Sequence, residues 1–171
     1  MSQHTDNRRD DAAKLRQSYV ETGRLPLGRM IALGLRDLLV MPFWWPIKMC
    51  PGTVALKLRQ WVYRRRLAAM GRHSLIEVGV EIPQPGGVRI GDFTLIDKYC
   101  QLSAQTGQIV IGDRCHLAPF TIVLGQGGVT IDDYVGIAAG AKIYSISEWP
   151  GEGKRLAGPL APQSDRGLKI A

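Results

Sequence analysis

The sequence predicts an all-β solenoid, a parallel β-helix of hexapeptide repeats preceded by a helical segment. Three observations predict it. Three stretches start alike: Val88-Arg89-Ile90-Gly91-Asp92, Ile109-Val110-Ile111-Gly112-Asp113 and Val129-Thr130-Ile131-Asp132-Asp133. From each, an aliphatic recurs every six residues: Ile90, Ile96, Leu102; Ile111, Leu117, Val123; Ile131, Ile137, Ile143. Every fifth place is neither large nor charged: Thr94, Cys100, Thr106, Cys115, Thr121, Gly127, Val135, Ala141 and Ser147. A period of six fits neither a helix nor simple alternation. It suits a three-sided coil with one short strand per side, the aliphatic filling the core and the small residue facing inward. The restarts fall 21 and then 20 residues apart, so each turn carries an extra on one side.

The chain holds 171 residues, enough for one buried core with an appendage. Its charge is uneven. Residues 1–74 hold 14 basic and 5 acidic residues, net +9; residues 75–171 are net −2. The partner-seeking basic surface therefore lies ahead of a nearly neutral repeat. Cys100 and Cys115 occupy inward places and read as packed, reduced thiols; with Cys50 they form no C-x-x-C pair. His4, His73 and His116 are the only histidines, so a metal site is not expected. The first twenty residues lack the apolar core of a secretory signal, which implies a cytoplasmic chain.

In chain order, residues 1–24 are polar, disordered or a short helix. Residues 25–74 are a helical, basic segment. Its longest uncharged run, Leu38 to Ile47, is half of what a membrane span needs. Trp44 and Trp45 between basic residues suit a membrane–water boundary, with a helix that ends or bends at Pro42. The same stretch equally suits a cap on the repeat or on a neighbouring subunit. A second helix is expected over residues 54–70, with Val54, Leu58, Trp61 and Val62 on one face and Gly71 as its stop. The Arg64–Arg66 cluster meets anionic lipid or simply solvent; no nucleic-acid motif accompanies it.

Residues 75–147 are the repeat. It opens with an irregular coil in which Ile76, Ile82 and Val88 point in and Val80 and Gly86 take the small places. Asp92, Asp113 and Asp133 stack at one corner, where Asp can bond its own backbone. Leu95, His116 and Gly136 stack on one outer wall, so His116 points outward with room beside it, as a general base requires. Asp97 and Glu148 are further acids, with no spacing that pairs them. No phosphate loop, zinc-protease or nucleophile-elbow motif competes. Residues 148–171 are a Gly/Pro-rich excursion, followed by Leu168-Lys169-Ile170, the start of a further coil.

These hexads resemble those of the left-handed parallel β-helix acyltransferases, the hexapeptide-repeat superfamily. The segment from Ile111 to Gly128, which contains His116, resembles the S-H-I-A-A-Y-x-x-L-Y-G-G stretch of nucleotide-sugar N-acyltransferases. Ile143-Tyr144-Ser145-Ile146-Ser147 and the Gly158–Pro162 stretch are similar to a loop of the same enzymes. The basic, Trp-bearing front end resembles colanic-acid and lipopolysaccharide O-acetyltransferases. The resemblance implies a homotrimer with acyl-CoA, most simply acetyl-CoA, between adjacent prisms. It implies direct attack of a sugar amine or hydroxyl on the thioester, with His116 as base and Asp97, Tyr144 and Glu148 about the substrate. It names no CoA-binding residue of this chain. The expected setting is surface-polysaccharide or lipopolysaccharide synthesis at the inner face of the cell membrane. Two departures set an alternative. Members often carry a His just after the Ile-Tyr-Ser position, where this chain has Ile146, Ser147, Glu148 and Trp149; and members add coils beyond the point where this sequence stops. The alternative is a truncated, non-catalytic repeat protein docking on membrane or on a full-length partner.

Overall fold

The computed structural model describes residues 45–148, 163–165 and 168–170, together with Gly28, Ile31 and Leu35. The chain divides into two compact units, residues 1–47 and 48–171. In the first, Gly28, Ile31, Leu35 and residues 45–47 are helical; Trp44, Pro42 and most of the expected interfacial segment lie outside the described residues. No helix among the described residues is long and apolar enough to cross a membrane.

The second unit is a left-handed parallel β-helix. Three short strands per turn stack into three parallel sheets, with successive coils about 4.8 Å apart. The first face holds β1 (Ala69–Met70), β3 (Val88–Ile90), β6 (Ile109–Ile111), β9 (Val129–Ile131) and β14 (Leu168–Ile170) in that order. The second holds β2 (Leu75–Ile76), β4 (Leu95–Ile96), β7 (His116–Leu117) and β10 (Gly136–Ile137). The third holds β5 (Gln101–Ser103), β8 (Ile122–Leu124) and β11 (Lys142–Tyr144), with Glu81 bridging to Gln101. β12 (Ile146–Glu148) and β13 (Gln163–Asp165) form an antiparallel pair outside the prism. β14 then rejoins the first face, pairing Ile170 with Ile131, so Leu168-Lys169-Ile170 does open a further coil.

The predicted aliphatics fill the core. Ile76, Ile96, Leu102, Leu117 and Val123 are fully buried, Ile90, Ile111, Ile131 and Ile137 nearly so, and Ile143 in the last coil is partly buried. The small inward residues do more than fit. Thr94 Oγ1 donates to the Gly112 carbonyl of the next coil (2.8 Å) and accepts the Cys115 N–H (3.1 Å); Cys115 Sγ lies 3.0 Å from the Asp132 carbonyl. Each coil thus ties its small side chain to the next coil's backbone, which keeps a buried polar group satisfied. Thr106 and Gly86 depart from the expectation: both are exposed, and Ala104 is the buried small residue there. The reason is the third corner. The extra residues of each turn fall there, at 104–108 and 125–128, and shift the phase of the hexad.

The Gly-Asp pairs have a use that sequence alone assigned wrongly. The Asp carboxylates do not bond their own backbone. Asp92 Oδ1 accepts the Arg72 N–H (2.6 Å), Asp113 Oδ1 the Asp92 N–H (2.6 Å) and Asp133 Oδ1 the Asp113 N–H (2.7 Å). This is a ladder running from coil to coil. Gly91 and Gly112 are bare because the next coil's Asp carboxylate packs against them; a Cβ on Gly91 would stand 2.6 Å from the Gly112 carbonyl carbon. Left-handed coiling also needs a left-handed backbone residue at each corner. Phe93, Arg114 and Tyr134 supply it at one corner, Tyr99 and Phe120 at the next, all with φ between 54° and 63° or so.

Helix α1 (Thr53–Arg66) closes the first end of the prism. It stops at Arg66, not at Met70: Leu67 is extended and Ala69–Met70 become β1. The apolar residues expected to share a face do so, with Val62 half-buried at its edge, and that face is the exposed one. Ala55, Arg59 and Tyr63 face in, while Val54, Leu58 and Trp61 face out. Arg59 is buried because it terminates open backbone: its Nη1 donates to the Cys50 carbonyl (2.7 Å) and its Nε to the Ile76 carbonyl (3.0 Å). Hydropathy cannot reveal an arginine used as a cap.

Candidate functional site

His116 opens β7 on the second face, and its strand neighbours are fixed by register: Leu95 on one side and Gly136 on the other. Because side chains alternate along a strand, burying Leu117 forces His116 outward. Its side chain is 51% exposed. A Cβ on Gly136 would meet nothing within 4 Å, so the wall beside the imidazole is open. Ala138, Ala139 and Gly140 continue that bare strip and are exposed.

Asp97 lies two residues after Leu95 and therefore diagonally across from His116. Its Oδ2 is 3.5 Å from His116 Nε2. Its other oxygen accepts the Lys98 N–H at 2.7 Å, and its own N–H donates to the Leu117 carbonyl at 2.9 Å. The carboxylate is anchored on both sides. The sequence reading paired Asp97 with nothing; the coil register brings it to the histidine. The signal was available, since any two outward residues one coil apart and offset by two places are diagonal neighbours.

The other expected site residues stand elsewhere. Tyr144 is exposed on β11, on the third face, in register with Leu124. Glu148 ends β12, opposite Gln163, and its side chain lies outside the described residues. Within one chain, then, the fold joins His116 and Asp97 but not Tyr144.

Two aromatic columns flank this wall. Tyr99 and Phe120 stack with ring centroids 5.5 Å apart, and Phe120 keeps an open face. At the other corner Arg114 sits over the Phe93 ring (5.1 Å) and near the Tyr134 ring (5.9 Å), while His73 stacks on Phe93. The wall between them offers a base, an acid beside it, open space and planar surfaces, which is what proton transfer on a bound polar ligand requires. A separate concavity of about 460 Å³, lined by Val110, Gly112, Thr130, Ile131, Asp132 and Asp133, contains no such base.

Two of the three cysteines belong to the core rather than to this wall. Cys100 and Cys115 are buried free thiols, and burial pushes both above the ordinary thiol value of 9.0. They stay protonated and poorly nucleophilic. Among the described residues no three His, Cys, Asp or Glu side chains gather as a metal site would need.

No protein-family model matches the chain. It is 37% identical over 75 residues to a dTDP-4-amino-4,6-dideoxy-D-glucose acyltransferase of Escherichia coli, a match covering 44% of this chain and 38% of that protein. Among solved structures it resembles AntD, an N-acyltransferase from Bacillus cereus. One AntD variant, in complex with dTDP and coenzyme A, aligns with TM-score 0.55 and 26% identity over 66% of this chain and 62% of that one. Another, in complex with dTDP-4-amino-4,6-dideoxyglucose and coenzyme A, aligns with the same TM-score, identity and coverage. The chain therefore spans less than two thirds of the length of these relatives. The resemblance to nucleotide-sugar acyltransferases of the hexapeptide-repeat kind is one of sequence as well as of fold.

Proposed function

We propose that this chain acts as an acyl-CoA-dependent N-acyltransferase on a dTDP-linked amino sugar. The observation that carries the reading is the His116–Asp97 pair on an open outer wall. The named activities of the relatives give the reaction class and favour nitrogen over oxygen as the acceptor atom.

In this reading Asp97 holds the Nε2–H edge of the imidazole and leaves the Nδ1 lone pair to the acceptor. The amine nitrogen attacks the thioester carbonyl carbon as His116 takes its proton. The carbon–sulfur bond then breaks, and the thiolate of CoA leaves and receives that proton. Amide and free CoA are the products, and no covalent enzyme intermediate is needed. The bare strip from Gly136 to Gly140 gives the donor room to approach. The donor is acetyl-CoA or a close homologue, bound between neighbouring prisms of a homotrimer. There Tyr144 on the third face serves the site of an adjacent prism, with Glu148 as a further substrate-binding residue. The product enters surface-polysaccharide or lipopolysaccharide synthesis, at the cytoplasmic face of the membrane.

The test is turnover of acetyl-CoA with dTDP-4-amino-4,6-dideoxyglucose. Stoichiometric release of CoA thiol with N-acetylated sugar is expected. Saturable acetyl-CoA binding without turnover of any amino-sugar nucleotide would reject the activity, and no saturable heat with acetyl-CoA would mark a non-catalytic repeat protein.

A further inference from the structure

Helix α1 turns its most apolar residues away from the core it caps. Val54 is 83% exposed, Leu58 43% and Trp61 55%. These three lie at i, i+4 and i+7 and form one stripe along a helix of 14 residues, about 21 Å long. Cations border that stripe. Lys57, Arg64 and Arg65 are exposed; the Arg65 guanidinium lies 3.9 Å from the centre of the Trp61 ring, and Arg64 Nη2 also donates to the Gly71 carbonyl (3.0 Å). The helix contains no acidic residue at all. The prism does not need this face, because Ala55, Arg59 and Tyr63 already make the cap.

We infer that the outer face of α1 is a docking surface for an anionic lipid bilayer, with Val54, Leu58 and Trp61 entering the headgroup boundary and Lys57, Arg64 and Arg65 meeting lipid phosphates. Charge selects this occupant over the two others. A second copy of the helix would set cations against cations. Residues 25–47 carry Arg29 and Arg36 against the single acid Asp37, so they too are net basic. A tryptophan with aliphatic neighbours and flanking Arg and Lys is the composition that binds at an interface without spanning it. The arrangement aims a fixed end of the prism at the bilayer, so the coils stand away from it. This inference rests on the proposed working place at a membrane surface, but not on acyl transfer.

The test is sedimentation of the full chain with vesicles of phosphatidylcholine alone or mixed with phosphatidylglycerol. Binding is expected only to the mixed vesicles, and it should fall as salt rises. Arg64→Gln with Arg65→Gln should weaken it about 25-fold, roughly fivefold per cation. Trp61→Ala with Leu58→Ser should weaken it by at least about tenfold while circular dichroism stays native. Turnover of a water-soluble acceptor should not change in either variant, so loss of vesicle binding and loss of activity are read separately. The inference is overturned if the chain ignores anionic vesicles. It is overturned too if Trp44→Ser with Trp45→Ser abolishes binding while the α1 variants bind as the parent does, or if the α1 variants instead change the oligomeric state without vesicles.

Discussion

The outer wall of this prism carries two kinds of aspartate, and they are used differently. Asp92, Asp113 and Asp133 recur with the coil, and each accepts a backbone N–H from the preceding coil. Asp97 is followed in register by Ala118 and then Ala138; the coil before it carries Glu77 at the same place, so the carboxylate column stops at Asp97. That residue accepts only the N–H of its own neighbour and turns its second oxygen to His116. A residue that repeats with the period is holding coils together. A residue that breaks the period on an outward face is free for chemistry. The two uses share a wall but should fail in different ways.

The largest effect is expected at the ladder's tightest point. Gly91→Ala drives a methyl into the Gly112 backbone and the Asp113 carboxylate, and should cost about 3 kcal/mol or more in chemical denaturation. A neutral result there would mean that the coils tolerate separation and the ladder is incidental. Asp97→Asn should do the reverse: native stability, but kcat reduced up to about a hundredfold, near 2.7 kcal/mol, because the imidazole loses its orienting charge. Equal losses of stability and rate in that variant would erase the distinction between the two aspartates.

The inward thiols sharpen the same contrast, since they belong wholly to the repeat. Burial raises both, so the native state keeps their protons where the unfolded chain has released them. Stability from this source is complete below the ordinary thiol value of 9.0 and is lost as pH rises above it. A Cys100→Ala, Cys115→Ala variant should therefore show a flatter decline in melting temperature above pH 9.0 than the parent. The smallest effect is expected for Asp113→Ala. Its site is exposed enough for water to satisfy the Asp92 N–H, leaving a cost of about 1 kcal/mol and an unchanged rate.

The period of six made the prism legible, because each hexad place meets the same environment coil after coil. It failed at Thr106 and Gly86, where extra residues at the third corner reset the phase. It also passed over the Asp97–His116 pair, which is a relation between coils rather than a spacing along one. On α1 the apolar stripe looks outward, and an arginine lies inside because it satisfies the Ile76 carbonyl at the end of the prism and the Cys50 carbonyl ahead of the helix. Periodicity reports a shared environment; it does not report which residue caps an edge or which departs from the pattern to act.

The most direct measurement is the rate of CoA thiol release by His116→Ala beside the parent chain, both at saturating acetyl-CoA and amino-sugar nucleotide and both confirmed folded by their melting curves. The assignment predicts an unshifted melting temperature with a rate reduced by about a hundredfold to ten-thousandfold. Turnover at the parent's rate from a fully folded His116→Ala chain would contradict it.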